Sequence, residues 1–192
     1  MLIIGNGKTI TRDANLPFIE DGAVAIEGTR IKEIGATKDM KEKYKEAEYI
    51  DARGGVIMPA FINTHEHIYS AMARGLSIKG YHPKGFLDIL DGQWWTIDRK
   101  LTLEQIRYSA ADTMISCIRN GVTTIFDHHA SFGHIKDSLF TIAEVAKELG
   151  VRSCLCYEVS DRDGMEKAKE AVMENAAFIK YALQDDSDML AG

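Results

Sequence analysis

The chain has 192 residues, 45% of them apolar and 27% charged, a balance inside the ordinary globular range that argues against disorder and allows a substantial core. Its formal charge of -6 comes from 29 acidic and 23 basic residues with no basic block able to follow a phosphate backbone, which excludes nucleic acid as an expected partner. No run approaches the roughly 18 apolar residues of a spanning helix, and Met1-Leu2-Ile3-Ile4 gives way at once to Gly5-Asn6-Gly7-Lys8, so a soluble, cytoplasmic protein without membrane attachment is expected.

Residues 1–55 hold short apolar runs separated by turns: Leu2 to Ile4, Ala23 to Ile26, Arg30 to Ile34 and Tyr49 to Asp51. This punctuation predicts a small antiparallel β module. The lysine-rich stretch from Thr37 to Ala47 has helical composition and reads as a solvated surface helix. From residue 56 the rhythm changes. An apolar run, Val56 to Asn63, leads into Thr64-His65-Glu66-His67, and a long irregular stretch follows with Gly75, Gly80, Pro83, Gly85 and Trp94-Trp95. Thr102-Leu103-Glu104-Gln105 has capping-box form and predicts a helix to about Asn120, stopped by Gly121. Val122 to Asp127 then reads as strand, Lys136 to Leu149 as a helix closed by Gly150, Val151 to Tyr157 as strand, and Met165 to Ala182 as helix.

Strands alternating with helices imply parallel strands joined by right-handed crossovers, so 61–65, 122–127 and 151–157 should be neighbours in one sheet. The segment 185–192 reads as the approach to a fourth strand that is not reached. The three cysteines make an odd count, and Cys154 and Cys156 alternate along an apolar run, so reduced core residues are expected rather than disulfides.

His65 and His67 end an apolar run and are two residues apart, which puts both imidazoles on one side of an extended chain, where they can close on a single ion. Glu66 then faces the other way. Taken alone, such a triplet is read equally well as two surface histidines at a strand end.

The run Gly55-Val56-Ile57-Met58-Pro59-Ala60-Phe61-Ile62-Asn63-Thr64-His65-Glu66-His67, with Arg74-Gly75 and Gly121-Val122-Thr123-Thr124 after it, resembles the amidohydrolase superfamily in its chlorohydrolase and nucleobase-deaminase branch. Gly121 to Ser131 resembles in particular the aminohydrolases called SsnA. The resemblance implies a (β/α)₈ barrel, of which 56–192 would be the first three β/α units, beside a small β-sandwich of which 1–55 would be the N-terminal part. It implies His65 and His67 as first-strand metal ligands, zinc as the ion with ferrous iron second, and hydrolysis of a C–N bond in a purine- or triazine-like small molecule. A barrel takes about 250 residues, and about 135 follow residue 55 here. The expectation is therefore an N-terminal fragment that lacks the later ligands and every proton-transfer residue, inactive by itself and prone to self-association into a homo-oligomer through its unpaired strand edge.

Asp127-His128-His129 falls at a strand end where this fold collects functional residues. Adjacent residues point to opposite faces, so at most one of His128 and His129 should face the pocket, and substrate contact by either stands beside a structural or solvent-facing role. Trp94, in the long loop, could stack on a flat heterocycle or simply pack. His82 and His134 read as surface residues, and Ser70 and Arg74 as packing or helix-start residues. Two other readings stand beside the deaminase: a cyclic amide or imidazolone hydrolase, and a non-catalytic remnant or interaction module that keeps the dyad without a working site.

Overall fold

The computed structural model describes all of residues 1–192. The chain divides into two compact units, Met1–Ala60 and Phe61–Gly192. In the first, strands β1 (Leu2–Ile10), β2 (Phe18–Glu27), β3 (Arg30–Ala36), β4 (Glu48–Asp51) and β5 (Val56–Ile57) form one sheet in the order β3-β2-β1-β4, with β5 also on β1. The antiparallel reading is only partly met. β1 runs antiparallel to β2 but parallel to β4 and β5, because helix α1 (Thr37–Lys43) carries the chain back before β4 begins, as a parallel return requires. That helix is also less solvated than its lysines suggest. Met40 is buried against Ile3, Ala23 and Ala25, and Thr37 is buried too.

The second unit is α/β. Strands β6 (Phe61–Glu66), β7 (Val122–His129), β8 (Arg152–Tyr157) and β9 (Leu190–Ala191) lie in that order in one parallel sheet. The first three are the expected neighbours. The fourth strand, read as not reached, does begin: β9 pairs with Ser153 and Cys154 of β8. β7 runs two residues further than its β-branched run suggests, because His128 and His129 continue the ladder opposite Cys156 and Tyr157.

Helices α4 (Leu103–Arg119), α5 (Ser138–Leu149) and α6 (Met165–Ala182) connect the strands. The capping box of α4 is formed: the Thr102 side chain accepts from the Gln105 amide and the Gln105 side chain accepts from the Thr102 amide. The chain leaves α4 and α5 through left-handed glycines, Gly121 at φ +77° and Gly150 at φ +72°, a conformation that costs a side-chain-bearing residue energy. Ile106, Met114, Ile125, Leu139, Ile142, Leu155 and Phe178 form the core between sheet and helices.

α5 starts without a cap of its own, at Asp137 in the left-handed region. Its free amides are met from α6: the buried Glu174 carboxylate accepts from Asp137 N and Leu139 N, each at 3.0 Å. Glu174→Ala should therefore cost about 1–2 kcal/mol, as loss of an N-cap does, measured by urea denaturation.

One face of the sheet is packed and the other is open. Along β7, Ile125, Asp127 and His129 are buried, while Phe126 and His128 are exposed. This alternation corrects the cysteine reading in part. Cys117 is buried, but Cys154 is half-buried and Cys156 is exposed on the open face; all three are free thiols.

The long stretch after β6 is less irregular than its composition suggests. It contains a 3₁₀ helix (Ile68–Ala73), α2 (Phe86–Ile89), a π turn (Leu90–Trp94) and α3 (Trp95–Asp98). Its far end is fixed to the loop between β8 and α6. Buried Asp98 pairs with Arg162, whose guanidinium sits 3.7 Å from the centre of the Phe132 ring and also bonds Glu158 at 2.9 Å; Arg99 bonds Asp163 at 2.7 Å.

Candidate metal centre

The two histidines at the end of β6 are brought together. His65 Nε2 and His67 Nε2 stand 3.1 Å apart, and the rings meet edge to face. Two zinc–nitrogen bonds of about 2.0–2.1 Å at a tetrahedral angle would place their donors about 3.3–3.4 Å apart, so the pair fits a shared divalent ion with little adjustment. No third His, Cys, Asp or Glu stands where it would complete a ligand group.

The tautomer of His67 follows from its partner. Nδ1 lies 2.9 Å from the backbone carbonyl of His128, which can only accept, so Nδ1 carries the proton and Nε2 keeps its lone pair toward His65. The backbone of the dyad is braced as well. His67 N donates to Glu66 Oε1 at 3.0 Å, Asn63 Nδ2 donates to Glu66 Oε2 at 2.7 Å, and His65 N donates to Asn63 Oδ1 at 3.3 Å. Glu66 is thereby spent on the backbone and on Asn63, consistent with its position between the two imidazoles in an extended chain.

β7 supplies the next layer. His128 is exposed on the open face, its ring centre 5.7 Å from that of His67. Together with Phe126, Cys154 and Cys156 it lines a groove of about 390 Å³ that also takes in His65 and His67. Burial raises the thiols of both cysteines, which keeps them protonated and weakly nucleophilic. His129 points the other way, fully buried between Tyr69 and Tyr157, with neither ring nitrogen partnered. Burial pushes it down to about 3, so its ring is neutral. Trp94 is half-buried, perpendicular to the Tyr69 ring at 6.5 Å, and is not among the residues lining the groove. Ser70 donates to His67 O at 2.8 Å, and Arg74 pairs with Asp112.

The residue of the Asp127-His128-His129 triplet to which the sequence assigned no role of its own is Asp127. It is buried, Oδ1 accepts from Ile68 N at 2.7 Å, and Oδ2 has no partner, 3.9 Å from His129 Nδ1. Burial raises its carboxyl to about 8, which keeps it protonated at neutral pH. Its signal was an acidic residue two positions after Ile125, on the packed face of the strand.

Residues 56–189 match the family model described as "Amidohydrolase family". The chain is 28% identical over 184 residues to the 5′-deoxyadenosine deaminase of Methanosarcina barkeri, covering 93% of this chain and 38% of that protein. It is 30% identical over 193 residues to the 5-methylthioadenosine/S-adenosylhomocysteine deaminase of Pyrococcus furiosus, covering 99% of this chain and 40% of that one. Among solved structures, the atrazine chlorohydrolase TrzN from Arthrobacter aurescens, complexed with zinc, superposes with a TM-score of 0.80 at 22% identity, over 100% of this chain and 45% of that chain. The chain thus spans about two fifths of the length of the curated relatives it matches. With the match extending over β6, β7 and β8 and including the histidine pair at the end of the first of them, this chain belongs to the amidohydrolase family.

Proposed function

We propose that this chain is the N-terminal part of a cytoplasmic, metal-dependent aminohydrolase of SsnA type that acts on a C–N bond of a purine-like heterocycle. Residues 1–55 would contribute to a small β-sandwich and residues 56–192 to the opening units of a (β/α)₈ barrel. His65 and His67 would hold the ion through Nε2. Zinc is the first choice of ion and ferrous iron the second, since imidazole suits both. The observation that carries the reading is the 3.1 Å Nε2 pair with the His67 tautomer already set by the His128 carbonyl. The adenosine-type substrates named for the relatives from M. barkeri and P. furiosus support the purine-like class.

When bound, a divalent ion supplies Lewis-acid activation of water and of the electron-poor ring carbon. What the chain itself does is narrower. His65 and His67 orient two lone pairs at one point, and His128 presents its ring beside them on the open face, where it would contact the substrate. Phe126 gives the same groove an apolar wall suited to a planar ring. His129 and Trp94 lie off the groove, His129 between Tyr69 and Tyr157 and Trp94 against Tyr69, so neither is proposed to touch the substrate directly.

A four-ligand structural zinc site is worth about 10–16 kcal/mol, so two imidazoles contribute about 5–8 kcal/mol, a Kd between about 1 and 200 µM. Zinc titrated into the metal-free chain should saturate at one equivalent in that range. Saturation that never develops below 1 mM would remove the metal-dependent reading. Ammonia release from 5′-deoxyadenosine, set against ring opening of a cyclic amide by the metal-loaded full-length enzyme, separates the two substrate classes.

A further inference from the structure

We propose that Asp127 is a positioning residue that holds the histidine dyad in register, a role that rests on reading His65 and His67 as the metal ligands. The β6–β7 ladder pairs Asn63 with Ile125, shifts register, pairs Glu66 with Asp127 and goes no further, so His67 and Ile68 lie beyond its last pair. Two consecutive residues of β7 hold them. The Asp127 carboxyl oxygen Oδ1 accepts from the amide of Ile68 at 2.7 Å, and the next carbonyl, of His128, accepts from Nδ1 of His67 at 2.9 Å.

The two bonds grip adjacent residues, 67 and 68, from adjacent residues, 127 and 128. The Ile68 amide is the first beyond the dyad, and the bond that fixes it is buried. Without it the 3₁₀ helix at Ile68–Ala73 could rotate about the end of β6, and the His67 ring would leave the His128 carbonyl. The backbone bonds from Glu66 and Asn63 act within β6 and its end, so they set the dyad's internal shape. Beyond the Glu66–Asp127 pair that ends the ladder, Asp127 and His128 tie that shape to the neighbouring strand, and of the two only Asp127 does so through a side chain.

Asp127→Asn keeps an acceptor oxygen at the same distance, and Asp127→Ala removes it. Competition with a chromogenic chelator should show zinc affinity of the alanine variant reduced about 10-fold or more, the scale of losing a group that orients a ligand, while the asparagine variant stays within about 3-fold of wild type. Ile125→Ala, which loosens the same strand's core without touching the dyad, should leave zinc affinity unchanged and so separates positioning from general destabilisation. Two measurements on the unaltered, metal-free chain stand even if the alanine variant does not fold. Nitrogen-15 NMR should show His67 with its proton on Nδ1, and the Ile68 amide should be protected from hydrogen exchange although it lies outside the ladder. Equal zinc affinities for the alanine and asparagine variants, or an unprotected Ile68 amide, overturn the role of Asp127. Zinc binding that survives loss of both histidines would instead overturn the ligand reading on which it rests.

Discussion

Replacing His65 and His67 together by alanine should abolish saturable zinc binding up to about 1 mM. Four protein ligands sharing about 10–16 kcal/mol contribute about 2.5–4 kcal/mol each, or roughly 100- to 1,000-fold per imidazole. The chain has no third donor placed to take over, so the two losses leave nothing of comparable strength at this strand end. His67→Ala alone should weaken binding more than His65→Ala, because His67 is the ring whose tautomer is fixed by a backbone carbonyl, and its loss also frees the His128 carbonyl. Folding should be little affected, since both rings lie at the open end of β6 and outside the core. Isothermal titration at micromolar to millimolar zinc, paired with urea denaturation, checks both halves. A double variant that binds as the wild type does would end the assignment.

Asp98→Ala should destabilise the second unit by about 3 kcal/mol, near the lower end of the range for stranding one member of a buried ion pair. Arg162 is almost wholly buried with its guanidinium over Phe132, so loss of Asp98 leaves a charge out of reach of water. Glu158 keeps one bond to it and moderates the loss. The pair itself contributes little. Burial pushes the Asp98 carboxyl up to about 6 in spite of Arg162, so desolvation outweighs what the arginine returns. The sign follows: a carboxyl whose folded value lies above its unfolded one favours folding below about pH 4 and loses that contribution as pH rises through about 6. Replacing both partners, Asp98→Leu with Arg162→Met, should therefore recover most of the loss, and the single variant's deficit should widen between pH 7 and pH 5, because wild type gains the Asp98 contribution as pH falls and the variant does not. Urea melts at the two pH values test this; a single variant as stable as the double would contradict it.

Local chemistry explains which elements were legible. The capping box at Thr102 and the glycines at 121 and 150 each act within a few residues, so α4 and the end of α5 could be placed from sequence. Met165–Ala182 also came out at its observed bounds, although no capping side chain or left-handed glycine stop marks its ends. What failed depends on partners far along the chain. β7 extends through His128 and His129 only because β8 lies alongside, and β9 exists as a strand only because β8 accepts it. The mixed character of the first sheet is likewise a matter of which strand returns beside β1.

The dyad was visible because spacing of two along a strand is a local property. Its supports were not. Asp127 meets Ile68 across 59 residues and His67 meets the His128 carbonyl across 61. The opposite facing of His128 and His129 follows from strand alternation, but which of them looks onto the groove depends on where α4 and α5 pack. Cys156 looked apolar by company and lies exposed because the face it occupies carries no helix.

The carboxylate that closes the start of α5 belongs to a helix 35 residues further on. Until that later helix has docked, the first turn of α5 has amides facing nothing, so its N-terminal end cannot be an early, self-sufficient nucleus. The two helices must order together as one cooperative step in folding, with β8 enclosed between them in the chain.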